Sequence, residues 1–134
     1  MKSYVLDPEV VLEAMRNPMG PAGEYLRKAR RLEIGLVANI GLALEYETLC
    51  ADPDQRHAAG LSKAEAETFA AAIVALATPV ETRRLWSPRL RDPTDEMMLE
   101  AAVNGQADAI VTHKTKDFAA SAARFGIEVM TPDD

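Results

Sequence analysis

Short β-prone apolar runs alternate along the chain with longer segments whose apolar residues recur every three to four positions. The runs SYVL (3–6), IGLVA (34–38), AIVT (109–112) and IEVMT (127–131) are short and rich in branched residues, and are predicted strands. Helices are predicted for PEVVLEAMRN (8–17), AGEYLRKARRLE (22–33), IGLALEYETLCA (40–51), LSKAEAETFAAAIVALA (61–77) and DFAASAARFG (117–126). Within 40–51, Leu42, Tyr46 and Leu49 keep the spacing of one buried face. Ser62 followed by Glu65 reads as a capping box. Another helix is expected from Pro93 to the stop signal Asn104-Gly105, with Asp92 as its cap. NPMGP (17–21) is a predicted turn and ADPDQRHAAG (51–60) a polar loop. A further strand is expected within PVETRRLW (79–86), before the proline-rich loop SPRLRDP.

Strands separated by helices imply right-handed crossovers. The expected fold is α/β, a three-layer α/β/α arrangement around a mostly parallel sheet, with residues 1–134 forming one domain without repeats. A composition of 48% hydrophobic and 27% charged residues is that of an ordinary globular protein. The single cysteine, Cys50, excludes an internal disulfide framework and favours a reducing compartment. No apolar run approaches the roughly 20 residues of a membrane span, and MKSYVLDPEV has no signal-like apolar core. The expected location is cytoplasmic. His57 and His113 are too isolated for a histidine-based zinc site. A net charge of −6 disfavours nonspecific nucleic-acid binding by bulk charge. It leaves room for an enzyme that meets phosphates through bound cations.

The placement of the acids changes the picture. In an open parallel sheet, ligands bind beyond the carboxyl ends of the strands. Asp7 directly follows the first strand, and Glu9 opens the next helix. Asp92, Asp95 and Glu96 stand at the start of the helix that leads to strand 109–112, and His113, Lys114 and Asp117 follow that strand. Glu45 lies mid-helix beside Leu42 and Tyr46. Each acid also has an ordinary local use: Asp7 as a turn former, Asp92 and Asp117 as helix caps, Glu9 as a first-turn acid, Glu45 as a solvated helix residue. Carboxylates that converge without partners repel one another unless a cation binds among them. A set of oxygen donors with neither sulfur nor a histidine cluster suits Mg²⁺ or Mn²⁺.

VLDPEVVLEAM resembles the opening of PIN domains, in which a strand ends in an Asp before an apolar helix. LALEYETL resembles the helix carrying that family's second acid, and RDPTDEMMLEAAVNGQADAIVTHKTKDF its C-terminal half in the branch of toxin–antitoxin toxins. The ending GIEVMTP also matches, so the resemblance covers nearly the whole chain. It implies a ribonuclease that cuts single-stranded RNA with Mg²⁺ or Mn²⁺, its catalytic acids falling on Asp7, Glu45 and Asp95. Glu9, Asp92, Glu96 and Asp117 would serve a second ion or the water shell.

Two positions depart from the family pattern. Asp7-Pro8-Glu9 replaces the common Asp-Thr-Asn, and Lys114 takes a place commonly held by Asp or Asn. The ammonium of Lys114 would either pair with Asp7 or Asp95 and replace a cation, or point outward toward a phosphate. The first case is the alternative reading: a catalytically silent PIN-like module that binds RNA or protein. A phosphotransfer receiver domain would want an Asp after a central strand, where IGLVAN has Asn39.

Arg27, Lys28, Arg30 and Arg31, with Arg83, Arg84, Arg89 and Arg91, are candidate RNA contacts and equally candidate solvated faces. Trp86 is a candidate base-stacking residue or a half-buried packing one. The resemblance further implies an antitoxin partner reaching across the acids with an Arg or Lys. It also implies self-association as a homodimer, for which the alanine-rich stretches 64–77 and 99–103 are candidate faces.

Overall fold

Three Asp-Pro pairs start three helices. In the structure, a computed structural model that describes residues 1–81, 90 and 92–134, they open α1 (Pro8–Arg16), α4 (Pro53–Ala58) and α6 (Pro93–Asn104). Proline fits the first helical position because its missing N–H would have no partner there, and the preceding Asp accepts from a first-turn N–H. Asp7 accepts from Glu9, Asp52 from Asp54 and Gln55, and Asp92 from Thr94. Helix α4 corrects the expected 51–60 loop. It carries no buried residue, so no apolar rhythm marks it and only its cap does.

The other helices are α2 (Pro21–Arg30), α3 (Ile40–Ala51), α5 (Lys63–Leu76) and α7 (Thr115–Ala123). Both halves of the Ser62–Glu65 capping box are formed, at 3.1 and 2.9 Å. Ser62→Ala is expected to cost about 0.5–2 kcal/mol, read as a lower urea midpoint at unchanged slope. Helix α2 ends short of the predicted residue 33 because Leu32 turns left-handed at φ 61°. Helix α7 begins before Asp117, with Lys114 at its cap position and Asp117 inside the first turn.

The strands are β1 (Ser3–Leu6), β2 (Gly35–Ala38), β3 (Ala77–Pro79), β4 (Ala109–Val111) and β5 (Glu128–Met130). They form one sheet in the order β3-β2-β1-β4-β5, and every pairing is parallel. Strand β3 starts earlier than predicted: the backbone turns extended at Ala77, directly after α5, inside an apolar run that reads as continuous helix. Of the expected 79–86 strand, residues 82–86 lie outside the described residues.

From β1 the chain builds outward to β2 and β3, then returns to the other side of β1 for β4 and β5. Right-handed crossovers therefore put α1 to α5 on one face and α6 and α7 on the other. Val5, Val10, Val11, Leu42, Met98, Leu99, Ile110 and Phe118 fill the core between these layers. The reversal between β1 and β4 opens a crevice at their carboxyl ends, where such sheets bind ligands.

Candidate active site at the carboxyl edge of the sheet

Asp7 leaves β1 at this crevice and is 2% exposed. Its backbone N–H continues the sheet by donating to Val111 O at 3.0 Å. Both carboxylate oxygens are engaged: Oδ1 accepts from Glu9 N at 2.9 Å, and Oδ2 accepts from the Thr112 hydroxyl at 2.7 Å. Thr112, fully buried after β4, also accepts from the Lys114 backbone N–H at 3.0 Å. One hydroxyl thus joins the exits of β1 and β4.

Helix α6 brings the other acids. Asp95, three residues past the Asp92 cap, turns inward and is buried, whereas Asp92 stays half exposed. A buried amide fixes this part of α6. Asn39 follows β2, caps α3 by accepting from Leu42 N at 3.0 Å, and donates through Nδ2 to Met97 O at 3.0 Å. Tyr46 of α3 ties that helix to β1 by donating its hydroxyl to Leu6 O. Burial, then the charge of Asp7, raises the Tyr46 pKa, so the phenol remains a donor. Tyr46→Phe strands a buried carbonyl and is expected to cost about 1–3 kcal/mol in urea unfolding.

Lys114 closes the arrangement. Its ammonium lies 2.7 Å from Asp95 Oδ1 and 3.8 Å from Asp92 Oδ2. Burial pulls the Lys114 pKa down, but the Asp95 hydrogen bond and the charges of Asp7, Asp95 and Asp92 outweigh it and the net shift is upward. For Asp95, burial pushes the carboxyl up, and Lys114 offsets this only in part.

Asp7, Asp92, Asp95 and Lys114 therefore come together. The remaining acids stand apart from them. Glu45 is half-buried on α3, next to Tyr46, and among the described residues no hydrogen bond or ion pair joins it to the group. Glu9 is exposed and lines a neighbouring polar cleft of about 240 Å³ with Glu13, Arg16, Gln55 and His113. Glu96 is half-buried and Asp117 exposed. Of the basic candidates, Arg27 is engaged by Glu24 and the Pro18 carbonyl, and Arg31 by Glu33 and Glu24. Lys28 lines a separate pocket with Tyr4, Glu24 and Tyr25, and Arg30 lines an apolar one with Leu26 and Phe69. Arg83, Arg84, Trp86, Arg89 and Arg91 lie outside the described residues. Burial pushes the Cys50 thiol up to about 11, which removes it as a nucleophile near neutral pH.

Sequence reasoning did not single out Thr112 or Asn39 as site residues. Both directly follow strands, the same signal that marked Asp7.

The donor chemistry of the three aspartates suits a hard divalent ion, since all offer oxygen. The arrangement does not. Among the described residues no three acidic, histidine or cysteine side chains are disposed to hold a metal ion, and an ammonium stands against Asp95 where a cation would go. As arranged, these residues do not fit a divalent ion.

Among the described residues no helix is long and apolar enough to cross a membrane. No curated protein and no solved structure matches the chain. A family profile described as the PIN domain matches residues 3–116, from the first residue of β1 into the first turn of α7. That span takes in the acids of α1, α3 and α6 together with Thr112 and Lys114, and with it the chain belongs to the PIN domain family.

Proposed function

We propose that this chain hydrolyses single-stranded RNA as a PIN-type ribonuclease and is the toxin component of a type II toxin–antitoxin pair, residues 1–134 acting as one domain. PIN domains carry a nuclease-type fold and generally use divalent metal ions; Mg²⁺ or Mn²⁺ is the cofactor in this reading. The observation in its favour is that Asp95 and Asp92 flank one ammonium, at 2.7 and 3.8 Å, at the switch point of the sheet, where the charge of Asp7 from a distant part of the chain also acts on it. Asp7 and Asp95 are the central acids, with Glu45 joining from α3 and Glu9, Glu96 and Asp117 at the margin. The protein partner in this reading is an antitoxin whose basic side chain covers the acids.

Of the two alanine-rich candidate faces for a homodimer, α5 is the available one, with Ala71, Ala72 and Ala75 exposed. The alanines of α6 are spent on the chain's own core: Ala101 and Ala102 are fully buried.

The test is cleavage of a single-stranded RNA oligonucleotide with Mn²⁺, with EDTA, and by Asp7→Asn. Cutting that needs Mn²⁺ and is abolished by the variant supports the ribonuclease. Cutting indifferent to both would reject the mechanism and the site together. A second reading, a PIN-like module that binds RNA or protein without cutting, is favoured by the ammonium of Lys114 in the cation position. An inert wild type that nonetheless retains RNA or a partner protein would support it.

A further inference from the structure

We infer that Lys114 is the resident cation of the acidic edge, a tethered counter-ion that keeps a divalent ion off these carboxylates. The inference rests on the reading of Asp7 and Asp95 as the family's ion-holding acids, and it deepens that reading by naming what controls access to them.

Three observations carry it. First, the ammonium is seated: it bonds Asp95 at 2.7 Å and has Asp92 at 3.8 Å, with the charge of Asp7 also acting on it. Each carboxylate oxygen of Asp7 already has a partner, Glu9 N or the Thr112 hydroxyl, so Asp95 offers the main unshared negative charge and the ammonium is on it. An ammonium and a divalent ion on the same carboxylate repel each other, so the two compete.

Second, the competitor can leave without the fold opening. Lys114 is anchored through its backbone, whose N–H donates to Thr112. Its side chain supplies no cap to α7 and is 32% exposed. Rotation about the side-chain bonds carries the ammonium into solvent while Asp7, Thr112 and the start of α7 stay in place.

Third, something must replace it. Asp95 is buried beside two other aspartates, and burial already disfavours its charge. Removing the ammonium leaves a buried carboxylate without a counter-charge, which costs stability until another cation arrives. The edge is therefore neutralised from within the chain, by Lys114.

The experiment measures Mn²⁺ binding by calorimetry and thermal unfolding with and without Mn²⁺, for wild type, Lys114→Asn and Lys114→Met. Both variants should bind Mn²⁺ roughly tenfold or more tightly than wild type, the size of effect that one adjacent charge has on a carboxylate's affinity for a cation. Without metal, both should melt below wild type, and Mn²⁺ should restore them more than it raises the wild type. Lys114→Met keeps the length of the side chain, so agreement between the variants assigns the effect to charge. Equal Mn²⁺ affinity in wild type and in a folded variant would overturn the inference. So would a variant that melts with wild type in EDTA. An RNA assay run in parallel separates the two proposals. Tightened Mn²⁺ binding without cutting by any form keeps the resident cation and rejects the ribonuclease. Cutting by wild type with no change in Mn²⁺ affinity does the reverse.

Discussion

Asp7→Asn is expected to lower RNA cleavage by at least about 100-fold, since partners one shell removed from such acids already cost roughly 10- to 100-fold when lost. The same change should leave the fold standing. An amide oxygen can still accept from Glu9 N, as Oδ1 does at 2.9 Å. The amide nitrogen can donate to Thr112, reversing the polarity of the 2.7 Å bond to Oδ2. Thr112 retains a lone pair for the Lys114 backbone N–H. What disappears is one negative charge at the centre of the edge and the acceptor of the buried Thr112 hydroxyl hydrogen, a cost of about 1–3 kcal/mol. Kinetics on a single-stranded RNA with urea unfolding alongside should show a large fall in turnover and a modest fall in midpoint. Undiminished turnover in the variant would remove Asp7 from the chemistry. A collapse of stability instead would recast it as a purely structural cap.

Phe118→Ala is expected to be the most damaging change to stability, about 3–5 kcal/mol for emptying a buried phenylalanine site. The ring is fully buried, and only Ser121 and Ala122 accompany it as buried residues of α7. Such a loss is a large part of the 5–15 kcal/mol that holds a typical domain together. For a domain of this size it should lower the melting temperature by roughly 10–20 °C. Helix α7 also carries Lys114 at its start, so loosening it should unseat the ammonium from Asp95. Calorimetric melting gives the number directly. A loss under about 1 kcal/mol would mean that the site collapses around the missing ring, the low extreme of such substitutions.

Much of this architecture is written in local pattern. Strands β1, β2, β4 and β5 and helix α3 follow from apolar spacing to within a residue at each end, and the three-layer parallel fold follows from their alternation. Asp92 caps α6 while Asp95, in the same turn, faces inward; an N-cap followed by a residue three positions on is enough to divide those roles. Helix α4 escaped because it has a cap and no apolar face. The start of β3 escaped because helix and strand share one unbroken apolar run. The strand order is a long-range property, so nothing local announces that β1 and β4 are neighbours.

The candidate site shows the same boundary. Position along the chain was enough to nominate Asp7, Asp95 and Lys114 for one edge. Which carboxylate Lys114 chooses is a matter of side-chain geometry, and it is Asp95. Glu45 is a candidate from its place beside Leu42 and Tyr46 and from the resemblance, yet its helix meets β1 through Tyr46, one residue on.

The order of strands also bears on the timing of synthesis. Residues up to Pro79 supply β3, β2 and β1, and hence Asp7 with one side of its strand unpaired. Asp95, Thr112 and Lys114 emerge from the ribosome only afterward, and β4 must slot in beside β1 before Thr112 reaches Asp7. A nascent chain thus carries an unassembled edge until β4, Thr112 and Lys114 have all been translated.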